Sequence, residues 1–233
     1  KIQSGSSKTA ESGAVNIASG DGSSQNSGSI NIASGSSNMA SSGKIIIQSG
    51  ASATDSSGSV SILTNGGGQR GANILVSAGS SQASTGGAVL INSGASEAGS
   101  SGSIQVQSGK SSVLSGDISL STGSSSGAGS GDLTLATGNS VGSSGEITIA
   151  VKSADVGEGG SISMSAGGSS VSTGGSFNIR SGKSSNANSG NVNIESGSKT
   201  GANGNILVSS GSNAGVNAGT STGDISITTG TGI

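Results

Sequence analysis

Hydrophobic residues recur along the chain as pairs with one residue between the two members. There are fifteen such pairs, and successive pairs lie 14 or 15 residues apart except for a final step of 19. A short period that persists over so many copies is typical of a repeat architecture. Within each pair, alternation with a period of two predicts a strand with one buried face. These predicted core pairs are Val15/Ile17, Ile30/Ile32, Ile45/Ile47, Val60/Ile62, Ile74/Val76, Val89/Ile91, Ile104/Val106, Ile118/Leu120, Leu133/Leu135, Ile147/Ile149, Ile162/Met164, Phe177/Ile179, Val192/Ile194, Ile206/Val208 and Ile225/Ile227.

Glycines bracket the pairs, as Gly28 and Gly35 bracket the second pair. A tight corner needs a positive φ or a close backbone approach, and glycine permits both. Proline is absent from the whole chain. Its absence fits an array of parallel strands in which every interior N–H donates to the neighbouring strand.

The second half of the period often carries one modest apolar residue near its middle, which predicts a second, smaller inward-facing segment. Two glycine-bounded segments in 14 to 15 residues describe one coil of a repeating structure. The predicted fold is therefore all-β: a single-chain β-solenoid, or β-helix, with about 15 thin, flattened coils whose handedness the pattern leaves open. The middle residues are Ala10, Met39, Ala53, Ala83, Ala98, Val113, Val141 and Val171.

One continuous array is expected over residues 1–233, without a cap at either end, because the sequence starts and stops within a repeat. We therefore expect a part of a longer array or of a filament. Three stretches break the rhythm, at 64–72, 150–160 and 213–222. Insertions in solenoids map to surface loops, and 213–222 is the best candidate for a protruding one.

Composition narrows the range of functions. The chain has 46 glycines, a single aromatic residue in Phe177, and no Pro, Cys, His, Trp or Tyr. It can build neither an ordinary core of large side chains nor a zinc site of Cys or His. Without a histidine base or any recognisable catalytic constellation, no enzyme is expected. The net charge of -2 gives no basic stripe for nucleic acid, and no run of 18 apolar residues predicts a membrane span.

Three acidic residues open successive predicted strands at the same position: Asp117, Asp132 and Glu146. Stacked coils would align them as a column of like charges, which a divalent cation such as calcium could bridge with oxygen ligands. The simpler interpretation is a solvated edge without any metal. No other cofactor is expected.

The middle residue of each predicted strand faces outward, and at Ile46, Leu75 and Leu90 it is aliphatic. Outward aliphatic residues on nearby coils predict a lateral interface with another chain.

The serines are candidate acceptors for O-linked glycans if the protein is secreted, or are simply small polar residues that suit tight coils. No asparagine begins an N-glycosylation sequon.

The repeated phrases SGSINIASGSS, SGDLTLATGNS and GGSFNIRSGKS resemble the long Ser/Gly-rich repeat proteins predicted from heterokont algae and related protists. The likeness covers the entire chain. It implies an extracellular or cell-surface fibrous protein and assigns no functional residues.

These observations lead to a structural protein that forms the shaft of an extracellular filament by coil stacking and lateral packing. The alternative is an adhesin stalk or a surface-binding solenoid that recognises glycans, cells or ice. A flexible Gly/Ser linker is the remaining possibility, but a linker has no need to keep aliphatic pairs in register over fifteen periods.

Overall fold

The computed structural model describes residues 1–197, 203–211 and 223–229. Throughout these residues the chain is irregular and contains neither a helix nor a β-strand. The predicted all-β class and the predicted β-solenoid, or β-helix, are therefore wrong. The candidate protrusion at 213–222 lies outside the described residues.

The chain divides into two units, Lys1–Ile118 and Ser119–Ile233. Each unit contains the same element, which is an aliphatic pair followed by a short loop. The boundary between the units falls inside the pair formed by Ile118 and Leu120.

Most of the described loops bring their two ends close together, and glycine permits this close approach. We call the residue two positions before a pair the opening position and the residue three positions after a pair the closing position. At Gly28, an opening position, an added Cβ would lie 3.3 Å from the Cβ of Ser19, the residue just before the closing glycine of the preceding pair. Gly43 has the same relation to Ser34, again at 3.3 Å. The start of one repeat therefore lies against the end of the pair before it.

Four of these loops are fastened by a backbone hydrogen bond in which the opening N–H donates to the closing carbonyl eight residues earlier. The bonds have lengths of 2.8 to 3.0 Å. They are the only backbone–backbone hydrogen bonds among the residues that the structure describes. The donor and acceptor pairs are Gly87 and Gly79, Gly102 and Gly94, Gly175 and Gly167, and Gly190 and Gly182.

The hydrogen-bonded ladder of a solenoid is missing, because none of the backbone hydrogen bonds of the described residues joins residues a full period apart; each spans eight residues. Each repeat has one aliphatic pair and at most a few further apolar side chains to offset the conformational entropy lost by 14 or 15 ordered residues. Closing an eight-residue loop orders fewer residues and costs less entropy than pairing whole coils. The chain therefore forms the local contact, and the backbone hydrogen bonds between stacked coils are absent from the described residues.

The predicted core is also missing. No hydrophobic side chain is buried in the described part of the chain, and all thirty members of the fifteen pairs are exposed. The prediction is wrong because it placed these side chains against a neighbouring coil, and no stacked coil covers them. The first members of the pairs, predicted as core and found exposed, are Val15, Ile30, Ile45, Val60, Ile74, Val89, Ile104, Ile118, Leu133, Ile147, Ile162, Phe177, Val192, Ile206 and Ile225.

The second members of the pairs depart further from the core prediction. They lie farther along the chain from the opening position, where the chain contacts the preceding repeat, and so they have less cover than the first members. Their exposed fractions run from 61% at Ile179 to 93% at Ile227. The second members, also predicted as core and found exposed, are Ile17, Ile32, Ile47, Ile62, Val76, Ile91, Val106, Leu120, Leu135, Ile149, Met164, Ile179, Ile194, Val208 and Ile227.

Two further details of the solenoid prediction are corrected by the structure. The inward-facing second segment is wrong, since Met39 is 98% exposed and Val113 is 94% exposed at the loop tips. Positive φ, predicted as one reason for glycine at the corners, occurs among the described residues at Gly157 alone, with φ of 104°. Close approach of the backbone, the other predicted reason, is what the opening glycines provide.

Candidate functional surface

The fifteen aliphatic pairs form the most regular exposed feature of the molecule, and we call them the aliphatic ladder. First members of the pairs are about half exposed, from 48% at Val192 to 59% at Ile118. Second members are all more exposed than that. Every repeat therefore presents one half-covered and one largely uncovered apolar side chain, two residues apart.

Opening and closing glycines differ in what surrounds them. Nearly every opening glycine would place a Cβ in contact with the preceding repeat, as Gly102 would at 3.3 Å from the Cβ of Ser93. Gly131 is the exception, with nothing within 4 Å. Every described closing glycine, including Gly35 and Gly109, has no atom within 4 Å of an added Cβ. Contacts within the chain therefore explain glycine at the opening position but leave the closing position unexplained.

A serine organises most of the loops from a fixed position, two residues after the closing residue. Its Oγ accepts a hydrogen bond from a backbone N–H two or three residues later, as in the Ser/Thr turns that replace a backbone turn. The distance is 3.1 Å from Ala40 N to Ser37 Oγ and 2.9 Å from Gly99 N to Ser96 Oγ. The serines that accept in this way are Ser7, Ser37, Ser52, Ser81, Ser96, Ser111, Ser125, Ser140, Ser169 and Ser184.

Two described repeats have a closing residue other than glycine, and both lie in stretches where the regular spacing of the repeats breaks. Asn65 stands at a closing position and is followed by Gly66. In the other repeat, Lys152 stands at the closing position and Val151 precedes it, where most repeats have serine, threonine or alanine. The larger Val151 crowds the opening residue Gly160, where an added Cβ would lie 2.8 Å from Val151 Cγ1.

The acidic residues predicted to align are all exposed. Asp117 lies in the first unit, whereas Asp132 and Glu146 lie in the second. Glu146 Oε1 accepts a hydrogen bond from Thr148 Oγ1 at 3.1 Å, two residues along the chain. Nowhere in the described ranges are three or more acidic side chains grouped so that they could hold a metal ion. The stacked coils that would have aligned this column are not present.

The candidate lateral interface residues are among the most exposed aliphatic side chains. Ile46 is 73% exposed, Leu90 is 77% exposed and Leu75 is 89% exposed. In the predicted solenoid these residues faced outward while the pairs faced inward. In the structure both sets reach solvent, so Ile46, Leu75 and Leu90 widen the exposed apolar surface beside the ladder.

The described residues enclose no pocket that could take a small molecule. No helix long and apolar enough to cross a membrane occurs in the part of the chain that the structure describes. What each unit offers is a repeated set of exposed aliphatic and small polar groups. Such a surface supports contact with another surface.

Two regularities of this surface were missed by sequence reasoning. One is the contact between an opening glycine and a small residue nine positions earlier, such as Gly28 with Ser19. The other is the serine that accepts a hydrogen bond two positions after the closing glycine. Both leave a signal in the sequence, because small residues recur at these two positions in nearly every repeat.

Comparisons with protein-family models, with curated proteins and with solved structures give no match for this chain. The resemblance to Ser/Gly-rich repeat proteins therefore stays a prediction from the sequence phrases.

Proposed function

We propose that the protein is structural and associates with further copies of itself, through the aliphatic ladder, to build an extracellular filament. The observation that carries the proposal is that no member of the ladder is buried, since its side chains are 48 to 93% exposed in the isolated chain. Exposed apolar surface that repeats fifteen times favours association, because burying it is the dominant favourable term when proteins associate.

The exposed area is the first quantitative support. The chain exposes 23180 Å². A folded monomer of 21.4 kDa would expose about 9,000 Å², and the unfolded chain about 31,000 Å². The isolated chain is therefore much closer to the unfolded limit than to a self-sufficient domain. It needs another surface to bury its apolar side chains.

The charge supports a second copy of the chain as that other surface. The net charge is -2 and charged residues make up only 9% of the chain. Copies with so little charge repel one another weakly, and low net charge promotes association. Because every repeat presents the same kind of pair, a second copy offers a matching pair to each repeat.

Location outside the cell is supported by the sequence resemblance alone. The same setting would make the exposed serines accessible to O-linked glycosylation. Intact mass before and after deglycosylation of the native material tests that part. An unchanged mass would show that the serines carry no glycans, and it would not bear on the proposed association.

The test of association compares substitutions on and off the ladder. A ladder variant carries Ile30→Ser, Ile32→Ser, Ile45→Ser and Ile47→Ser. A control carries Met39→Ser, which removes a side chain that is 98% exposed at a loop tip and lies off the ladder. We expect the wild-type chain and the control to form large species in sedimentation velocity and fibrils in electron microscopy. The ladder variant should stay smaller at the same concentration.

A stalk or spacer is the second candidate function, favoured by the absence of any helix or strand in residues 1–197, 203–211 and 223–229. A Gly/Ser-rich chain without regular structure can separate two functional parts without associating. In that case the wild-type chain sediments as a monomer at every concentration, and the ladder variant behaves in the same way. That result would replace the filament proposal.

A further inference from the structure

We infer that Asn65 is a site of spontaneous deamidation, at which the backbone nitrogen of Gly66 converts the side-chain amide into a carboxylate. The chain has seventeen asparagines, and two of them, Asn65 and Asn203, precede a glycine. The residue that follows matters because its backbone nitrogen is the attacking atom. Glycine leaves that nitrogen unhindered and lets the backbone reach the required conformation.

The structure leaves Asn65 free to react. Asn65 is exposed, and within the described residues neither its side-chain amide nor the Gly66 N–H takes part in a hydrogen bond. An added Cβ at Gly66 would meet no atom within 4 Å. Asn65 also occupies a closing position, and the closing glycines elsewhere are surrounded by open space. Nothing in the structure holds the amide away from the nitrogen.

The reaction needs no enzyme and no cofactor. The Gly66 nitrogen attacks Cγ of Asn65, and a bond forms between these atoms as a five-membered imide ring closes. The bond from Cγ to Nδ2 breaks, and the nitrogen leaves as ammonia together with the proton lost by Gly66. Water then opens the ring at either carbonyl and gives aspartate or isoaspartate. One water is consumed, one ammonia is released, and nothing is oxidised. An attack within one molecule on an adjacent group is fast because no second reactant has to be brought in.

Seven of the other sixteen asparagines are protected by the residue that follows. They precede isoleucine or valine, whose branched Cβ crowds the backbone nitrogen and stiffens the segment. Asn203 takes part in an interaction with other residues, and an added Cβ at its neighbour Gly204 would lie 3.7 Å from the Cβ of Ser196. The asparagines followed by a β-branched residue are Asn16, Asn31, Asn73, Asn178, Asn191, Asn193 and Asn205.

Deamidation would change the chain in two ways. It adds a negative charge to a chain whose net charge is -2. In the isoaspartate product it also routes the main chain through the side-chain carbons and lengthens it locally. Both changes fall within 64–72, one of the stretches where the repeat rhythm already breaks.

The sequence offers a matched measurement inside one digest. Trypsin cleaves after Lys44 and Arg70 and releases a peptide, Ile45–Arg70, in which Asn65 is the only asparagine. It also cleaves after Lys152 and Arg180 and releases Ser153–Arg180, in which Asn178 is the only asparagine. The full chain is incubated in mildly alkaline buffer, sampled over time, digested and measured by mass spectrometry, with aspartate and isoaspartate forms separated by chromatography.

We expect the Asn65 peptide to gain the mass difference between an amide and a carboxylic acid at least about tenfold faster than the Asn178 peptide. The product should contain isoaspartate, which only the ring route produces, and Gly66→Val should slow the change to the rate of Asn178. Asn65→Gln should abolish it, because the longer side chain does not form the five-membered ring. Equal rates for the two peptides, a product that is aspartate alone, or an unchanged rate in Gly66→Val would each overturn the inference.

Discussion

Glycine has different roles at the two ends of an aliphatic pair. At the opening position it permits close approach, because an added Cβ at Gly102 would lie 3.3 Å from the Cβ of Ser93 and 3.5 Å from Gly94 N. At the closing position the same addition meets nothing, as at Gly109. Substitution should therefore disturb the loop at one end and leave it intact at the other.

We expect Gly102→Val to open the loop that the bond from Gly102 N to Gly94 O closes at 2.9 Å. An exposed hydrogen bond contributes about 0.5 to 1 kcal/mol, so the closed population should fall about two- to fivefold. Amide hydrogen exchange at residue 102, followed by NMR, measures this change. Gly109→Val is the control, and equal loss of protection in both variants would contradict the proposed asymmetry.

At the scale of the element, the loop is organised by its serine more than by its apolar tip. Ser37 Oγ accepts from Ala40 N at 3.1 Å, whereas the adjacent Met39 side chain is 98% exposed and does not hold the loop. Serine recurs at this place because its short side chain can reach a backbone N–H that the turn leaves without a carbonyl partner.

Replacing Ser37 by alanine should loosen the bend at 38–40, since the Ala40 N–H loses its acceptor. The cost should be about 0.5 to 1 kcal/mol because the site is exposed. The temperature coefficient of the Ala40 amide shift should then approach that of a fully solvated amide. Ser36→Ala is the matched control, because the Ser36 hydroxyl takes part in no hydrogen bond with the described residues. A comparable change in both variants would show that the hydrogen bond does not order the loop.

How far the sequence predicts this element depends on which contact is at issue. The positions of Ile30 and Ile32, and of the glycines around them, follow from the periodicity. The periodicity does not predict which surface contacts those side chains. A repeating apolar pattern is the same whether the neighbour is the next coil, another chain or solvent. The solenoid prediction assumed the next coil. The structure instead brings the two ends of most described loops together, as Ser34 and Gly43 are, and leaves the pairs exposed.

For the whole molecule, association through the ladder should be visible in proteolysis. Lys44 directly precedes the pair that begins at Ile45, whereas Lys110 lies in a loop after Gly109, and both lysines are exposed in the isolated chain. Assembly should slow tryptic cleavage after Lys44 several-fold more than cleavage after Lys110. The two rates are measured by mass spectrometry below and above the concentration at which large species appear. Equal protection at both lysines would mean that the contact is not confined to the ladder.

Temperature and salt should separate a hydrophobic contact from an electrostatic one across the whole molecule. The ladder is aliphatic, and burial of apolar surface weakens on cooling because its driving force near room temperature is entropic. The net charge is only -2, so screening by salt has little repulsion or attraction to remove.

We therefore expect the assembled fraction to fall when the sample is cooled towards the freezing point and to recover on warming. Raising sodium chloride from low to physiological concentration should change that fraction little. Sedimentation velocity at a fixed protein concentration, over a grid of temperatures and salt concentrations, measures both effects. An assembled fraction that instead collapses with added salt and ignores temperature would place the contact on the charged residues, because only ion pairs lose their strength to screening in that way.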